Sequence, residues 1–187
     1  EGPEEVLVVT ENVQPAITVV NLACFTVMQL HEMYPTAVAG HSLGEYSALY
    51  AADVLDLKDV LELVRLRGSY MHQASQENPG AMAAIMDLDL DRISDICKEC
   101  GVEIANINCP EQIIITGPAA LIDQAVELCE RAGAKKCVKL NVSGPWHSRS
   151  MNPARERFEP FVRRVNFREP QIPVLNNVDA MPLQSAA

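Results

Sequence analysis

A parallel α/β core carrying a smaller inserted α/β subdomain is the fold class this sequence predicts, and three observations predict it. The short apolar run Ala37-Val38-Ala39 leads into a glycine-framed turn and then a small-residue stretch suited to a helix, the strand–turn–helix unit of a parallel sheet. Apolar residues at helical spacing fill the stretches on either side, 15–33 and 57–73. From residue 80 the period changes, and strands and helices follow one another in the order β-α-β-β-α-β through residue 143.

The elements can be justified in order. Gln14-Pro15 fits a helix start, because proline lacks the N–H that the first turn leaves unpaired anyway. The helix it opens runs to Met33, followed by a strand at 36–39, the turn at 40–44, and a helix to about Ala52. Asp56 is placed to cap a further helix from Leu57 to about Gln73. Beyond Asn78-Pro79-Gly80, strands are expected at 81–88, 102–108, 112–116 and 136–142. Helices are expected at 91–100 and 119–132, each closed by a glycine, Gly101 and Gly133. This is the ferredoxin-like order, read as a subdomain over 80–143 inserted into a core made of 1–79 and 144–187. A helix from Pro153 to about Val165, breaking near Pro160, and a strand-like run over 170–177 complete the core.

The turn itself carries the chemistry. Gly40-His41-Ser42-Leu43-Gly44 reads Gly-x-Ser-x-Gly, the form of a nucleophile elbow, which lifts a serine to the end of a hydrolase-like parallel sheet. A side chain at 40 or 44 is expected to crowd the reversing backbone. The helix that follows aims its first N–H groups, that of Leu43 among them, at an oxyanion formed beside Ser42. A serine hydroxyl is a weak nucleophile without a base, so the four histidines matter. His31 and His72 lie on helices with polar neighbours, where surface or capping roles suffice, and a structural hydrogen bond suffices for His41. His147, in the constrained loop Gly144-Pro145-Trp146-His147-Ser148, is the candidate base. Arg67, in Arg65-Leu66-Arg67-Gly68, must either reach solvent or meet a carboxylate.

Composition narrows the function classes. Hydrophobic residues make up 48%, enough for a real core, and no stretch is expected to reach the length and apolarity of a membrane span. The six cysteines, at 24, 97, 100, 109, 129 and 137, follow no secretory signal, so reduced thiols and a cytoplasmic setting are expected. Cys97-x-x-Cys100 lacks a second ligand pair, which leaves packing as its role and no metal site. Net charge is −10, yet ten of the fifteen Lys/Arg fall in 131–168 against only Glu156 and Glu159. A basic stretch in an acidic chain suits an anionic partner or a solvated face, and not nucleic acid. The start at Glu1 and the stop at Gln184-Ser185-Ala186-Ala187 lack terminal signals, so an internal fragment is expected.

Several blocks in sequence carry a family resemblance: Thr10-Glu11-Asn12-Val13-Gln14-Pro15-Ala16, Gly40-His41-Ser42-Leu43-Gly44-Glu45, Arg65-Leu66-Arg67-Gly68, Gly80-Ala81-Met82-Ala83-Ala84, Ala105-Asn106-Ile107-Asn108-Cys109-Pro110, Asn141-Val142-Ser143-Gly144-Pro145-Trp146-His147-Ser148 and Pro173-Val174-Leu175-Asn176-Asn177-Val178-Asp179-Ala180. In these the chain resembles the malonyl-CoA:acyl-carrier-protein transacylases and, more broadly, the acyltransferase domains of fatty acid and polyketide synthesis. The resemblance implies Ser42 as nucleophile, His147 as general base and Arg67 as the group that binds the malonyl carboxylate. It implies an oxyanion contact from Leu43 and a pocket-narrowing role for Trp146 that favours malonyl over methylmalonyl. It implies malonyl-CoA and a phosphopantetheinylated acyl carrier protein as substrates, the carrier docking on the basic 131–168 segment, with no resident cofactor. The family's Gly-Gln-Gly-Ser-Gln loop and C-terminal glutamine segment have no counterpart here, so a slow or inactive fragment is expected. The residues alone leave two other readings open, a serine hydrolase (thioesterase or esterase) and a non-catalytic carrier-binding module.

Overall fold

The computed structural model describes residues 2–183, so the expectation drawn from Gln184-Ser185-Ala186-Ala187 lies outside the described residues. The fold is α/β. The elements run α1 (Glu4–Leu7), α2 (Thr10–Leu30), β1 (Val38–Ala39), α3 (Gly44–Ala51), α4 (Leu57–Glu77), β2 (Ala81–Met86), α5 (Leu90–Cys100), β3 (Glu103–Cys109), β4 (Gln112–Gly117), α6 (Ala119–Arg131), β5 (Lys136–Lys139), a 3₁₀ turn (Arg149–Met151), α7 (Asn152–Val162) and β6 (Val174–Leu175). The chain divides into two compact units, one reaching up to Ser69 and resuming at Phe158, the other spanning Tyr70–Arg157. The division falls inside α4 and α7, whereas the sequence reading drew its boundaries at 79/80 and 143/144.

In the first unit β1 and β6 pair in parallel, Val38 opposite Val174 and Ala39 opposite Leu175. Leu55, Val60, Leu63 and Val64 are fully buried and gather Tyr46, Leu49, Phe158 and Phe161 around them. Removing each such aliphatic side chain from water contributes about 1.5–3 kcal/mol. Asp56 caps α4 as expected, its Oδ1 accepting from the Asp59 N–H at 2.8 Å.

In the second unit four antiparallel strands lie in the order β3-β4-β2-β5. The helices α5 and α6 pack against them through Ile93, Ile96, Ile122, Ala125 and Cys129, over Ala83, Ile85, Ile113 and Ile115. Gly101, at φ 72°, closes α5 in the left-handed conformation that glycine adopts without strain.

Five expectations need correction. The first long helix begins at Thr10, not Pro15, and carries Pro15 inside it. A proline in the second turn gives up the bond to the carbonyl four residues back and crowds that carbonyl, yet the helix runs on through it, so a proline inside the helix looked like a start signal. That helix, Thr10–Leu30, is also long and apolar enough by length and composition to cross a membrane, contrary to expectation. Its buried residues are Thr10, Gln14, Thr18 and Leu22, while Val20 and Leu30 are exposed. Helix α7 continues through Pro160 without a break, and the strand-like run at 170–177 narrows to Val174–Leu175. Finally, Gly40 and Gly44 are not alike. A Cβ on Gly40 would lie 2.0 Å from the Gly44 carbonyl carbon, whereas one on Gly44 meets nothing within 4 Å.

Candidate active site

Strand β1 ends at Ala39 and α3 begins at Gly44, so the chain reverses in four residues. That tightness forces Ser42 to φ 51°, a left-handed conformation costing a non-glycine residue about 1–2 kcal/mol. Gly40 permits it by letting the incoming strand touch the backbone of the outgoing helix. The amides then divide their tasks. Gly44, Glu45 and Tyr46 donate to the carbonyls of His41, Ser42 and Leu43. The Ser42 N–H donates to Asn177 Oδ1 at 3.0 Å. Among the described residues the Leu43 N–H makes no hydrogen bond, which leaves it as the elbow's open donor.

Helix α4 brings Arg67 to the same place. Its Nη2 donates to Ser42 Oγ at 2.9 Å and its Nη1 to Gln14 Oε1 at 2.6 Å. The Tyr46 ring centre lies 5.9 Å from the guanidinium carbon, within cation–π range. Burial pulls Arg67 below the usual guanidinium range, with Tyr46 and Glu45 opposing the shift electrostatically. Burial likewise pushes the Tyr46 hydroxyl up, offset by Arg67. Among the described residues Arg67 forms no ion pair. Its hydrogen bonds go to neutral oxygens, so its charge is held in place without being neutralised.

His147 and Trp146 belong to the second unit. His147 also has positive φ, at 62°, and is exposed. The loop around it is tied down. Ser148 Oγ, itself buried, donates to the Pro145 carbonyl at 2.7 Å. The Trp146 ring packs with Met151 and Ala154 and with Met82, Ala84 and Ile114. Gly144 makes room for it, since a Cβ there would come 2.7 Å from the indole.

The structure therefore brings Ser42, Leu43 and Arg67 together and sets Trp146 and His147 on a strained, anchored loop of the other unit. Sequence reasoning gave no role to Gln14, Tyr46 or Asn177. Gln14 had a visible signal, because Thr10, Gln14 and Thr18 recur every four residues along one face of a largely apolar helix. The basic 131–168 segment is largely paired. Arg131, Lys135, Lys139, Arg149, Arg157, Arg163 and Arg168 each meet an acidic residue, while Lys136, Arg155 and Arg164 form no ion pair among the described residues. No cluster of three or more His, Cys, Asp or Glu able to hold a metal occurs among the described residues.

A serine on a strained strand-to-helix turn, under an open amide and beside a half-buried guanidinium, marks the class of α/β proteins that present a serine to acyl groups. Residues 1–184 match the acyl transferase domain family, and the chain belongs to that family. It is 43% identical over 176 residues to the malonyl CoA-acyl carrier protein transacylase of Staphylococcus aureus (strain MRSA252), covering 91% of this chain and 56% of that protein. It is 42% identical over 185 residues to the protein of the same name from Bacillus subtilis (strain 168), covering 96% of this chain and 58% of that one. Among solved structures it superimposes on the malonyl CoA-acyl carrier protein transacylase of Coxiella burnetii with a TM-score of 0.95 at 34% identity, covering all of this chain and 60% of that one. A malonyl-transacylase solved in complex with a type II PKS acyl-carrier protein gives 0.94 at 41% identity, covering all of this chain and 62% of that one. The chain thus spans less than two thirds of the length of these relatives.

Proposed function

We propose that the full protein moves a malonyl group from CoA to the phosphopantetheine thiol of an acyl carrier protein through a malonyl-serine intermediate. The observation that carries this reading is the 2.9 Å contact between Arg67 Nη2 and Ser42 Oγ. An acyl group bound to Ser42 and ending in a carboxylate meets an unneutralised guanidinium beside the reacting oxygen. An acetyl group has nothing to offer it. The names of the curated relatives, and a solved relative held with an acyl-carrier protein, support the same substrates.

The mechanism is ping-pong. Ser42 Oγ attacks the thioester carbonyl while His147 takes its proton, and the Leu43 N–H holds the oxyanion. The carbon–sulfur bond breaks, and the departing CoA sulfur takes the proton back from His147. The carrier's thiol then gives its proton to His147 and attacks the serine ester. Ser42 leaves with that proton, and the malonyl group leaves on the carrier. Trp146 narrows the acyl pocket against an α-methyl group, favouring malonyl over methylmalonyl. No resident cofactor is needed, and the cytoplasm is the proposed setting.

Two structural assignments accompany the reading. The antiparallel order β3-β4-β2-β5 and its two helices support a ferredoxin-like subdomain over 80–143. The parallel β1–β6 pair with the elbow at its carboxyl end supports a hydrolase-like core over 1–79 and 144–187. The test is transfer itself. The full-length protein, malonyl-CoA and a phosphopantetheinylated carrier are expected to yield malonyl-carrier. Free malonate without malonyl-carrier would point to a hydrolase, and carrier binding without turnover to a docking module.

A further inference from the structure

We infer that Asn177 is a positioning residue for the serine, holding the elbow in its strained shape and leaving the Leu43 amide as its open donor. This rests on the acyltransferase reading above. Asn177 follows β6 by two residues, and the parallel register pairs Leu175 with Ala39, so Asn177 falls level with the elbow at the carboxyl end of the strand pair. Its one amide group engages three points of the turn. Oδ1 accepts from the Ser42 N–H at 3.0 Å. Nδ2 donates to the Gly40 carbonyl at 2.7 Å and to Glu45 Oε2 at 2.8 Å. The contacts join the last residue before the serine's dipeptide, the serine itself and the first turn of α3.

Two consequences follow from this geometry. A serine at φ 51° persists only where its surroundings over-determine it, and here the strained residue's own N–H is bonded to the clamp. The clamp also takes the Ser42 amide out of contention for an oxyanion. With the amides of residues 44–46 committed to carbonyls, the Leu43 N–H remains. Asparagine is suited to this because it presents an acceptor and a donor from one planar group. A carboxylate would face both the Gly40 carbonyl and Glu45, and an apolar residue would offer neither bond.

The experiment uses the full-length protein with Asn177→Leu, which keeps the branched outline and removes both polar atoms, and Asn177→Asp, which keeps only the acceptor. Two rates are read, single-turnover acylation of Ser42 by malonyl-CoA and labelling of Ser42 by a fluorophosphonate, each alongside a thermal melt. Asn177→Leu is expected to slow both rates on the order of 10-fold or more while KM for malonyl-CoA stays within about 3-fold. Asn177→Asp is expected to fall between it and the parent. A folded Asn177→Leu that reacts at the parent rate, or loses only KM, overturns the inference. If Asn177→Leu does not fold, an Asn177→Asp that reacts at the parent rate overturns it instead. Should the parent acquire no malonyl group, the acyltransferase reading fails, and the fluorophosphonate rates still decide the role of Asn177.

Discussion

Arg67 donates to Ser42 Oγ at 2.9 Å across a sequence separation of 25, and does so as a cation bonded to neutral oxygens. A serine hydroxyl offers a guanidinium little, so the arrangement is that of a cation awaiting an anion. Arg67→Ala is expected to depress malonyl transfer by about 10- to 100-fold, the worth of a charge-assisted bond to a carboxylate, and to spare acetyl transfer. Competition between malonyl-CoA and acetyl-CoA checks this, and an unchanged product ratio would count against the clamp.

The two elbow glycines are expected to respond oppositely. Gly40→Ala drives a methyl group into the Gly44 backbone at 2.0 Å, so a loss of several kcal/mol, or no folded protein, is expected. Gly44→Ala enters open space at a helical position, where alanine is better than glycine by about 0.5–1 kcal/mol. Thermal melts of the two variants give the comparison.

Thr116 lies fully buried in β4 with an Oγ1 that has no hydrogen-bond partner among the described residues. An unsatisfied hydroxyl costs about 1–3 kcal/mol. Thr116→Val keeps the shape and removes the hydroxyl, and is expected to raise the unfolding midpoint in denaturant. A lowered midpoint would reveal a partner for the hydroxyl.

The buried cysteines are expected to be inert. Burial pushes Cys97 up to about 11 and Cys129 up to about 12, while Cys24 and Cys109 are exposed. At pH 8 iodoacetamide should modify Cys24 and Cys109 and leave Cys97 and Cys129 until the protein unfolds. The folded state holds these two protons more tightly than the unfolded chain. Their contribution to stability is therefore full below about pH 9 and is lost as pH climbs from there toward 11 and 12. Peptide mapping after alkylation and melts across that range check both statements.

The proposed docking of a carrier on the basic segment can be probed through cations that form no ion pair among the described residues. Arg155→Glu and Arg164→Glu should raise KM for the carrier, leave KM for malonyl-CoA in place and barely change the melt. Arg157→Glu also breaks the pair with Glu77 and so mixes docking with stability. Carrier kinetics that do not respond would leave these arginines as solvated surface.

Much of this was legible in the residues because the signals are local. The elbow, the Asp56 cap and the glycine-closed helices each depend on neighbours within a few positions. So does the order of the elements between 80 and 143. The Gln14–Arg67 and Asn177–Ser42 contacts were not legible, because each joins segments separated by 53 and 135 positions and depends on how helices and strands meet. Pro15 misled because an early-turn proline and a helix-start proline look alike in sequence. Gly44 misled because a motif glycine need not be a crowded one. The charge run at 131–168 concealed its own neutralisation, since partners such as Asp53, Glu77 and Glu103 come from distant segments.

The measurement closest to the central claim is the site of acylation. The full-length protein is mixed with malonyl-CoA, quenched within a turnover and digested for mass spectrometry. A malonyl group on Ser42, absent in Ser42→Ala and formed far more slowly in His147→Ala, is the expected result. A malonyl group on another residue, or no slowing when His147 is replaced, would contradict the account.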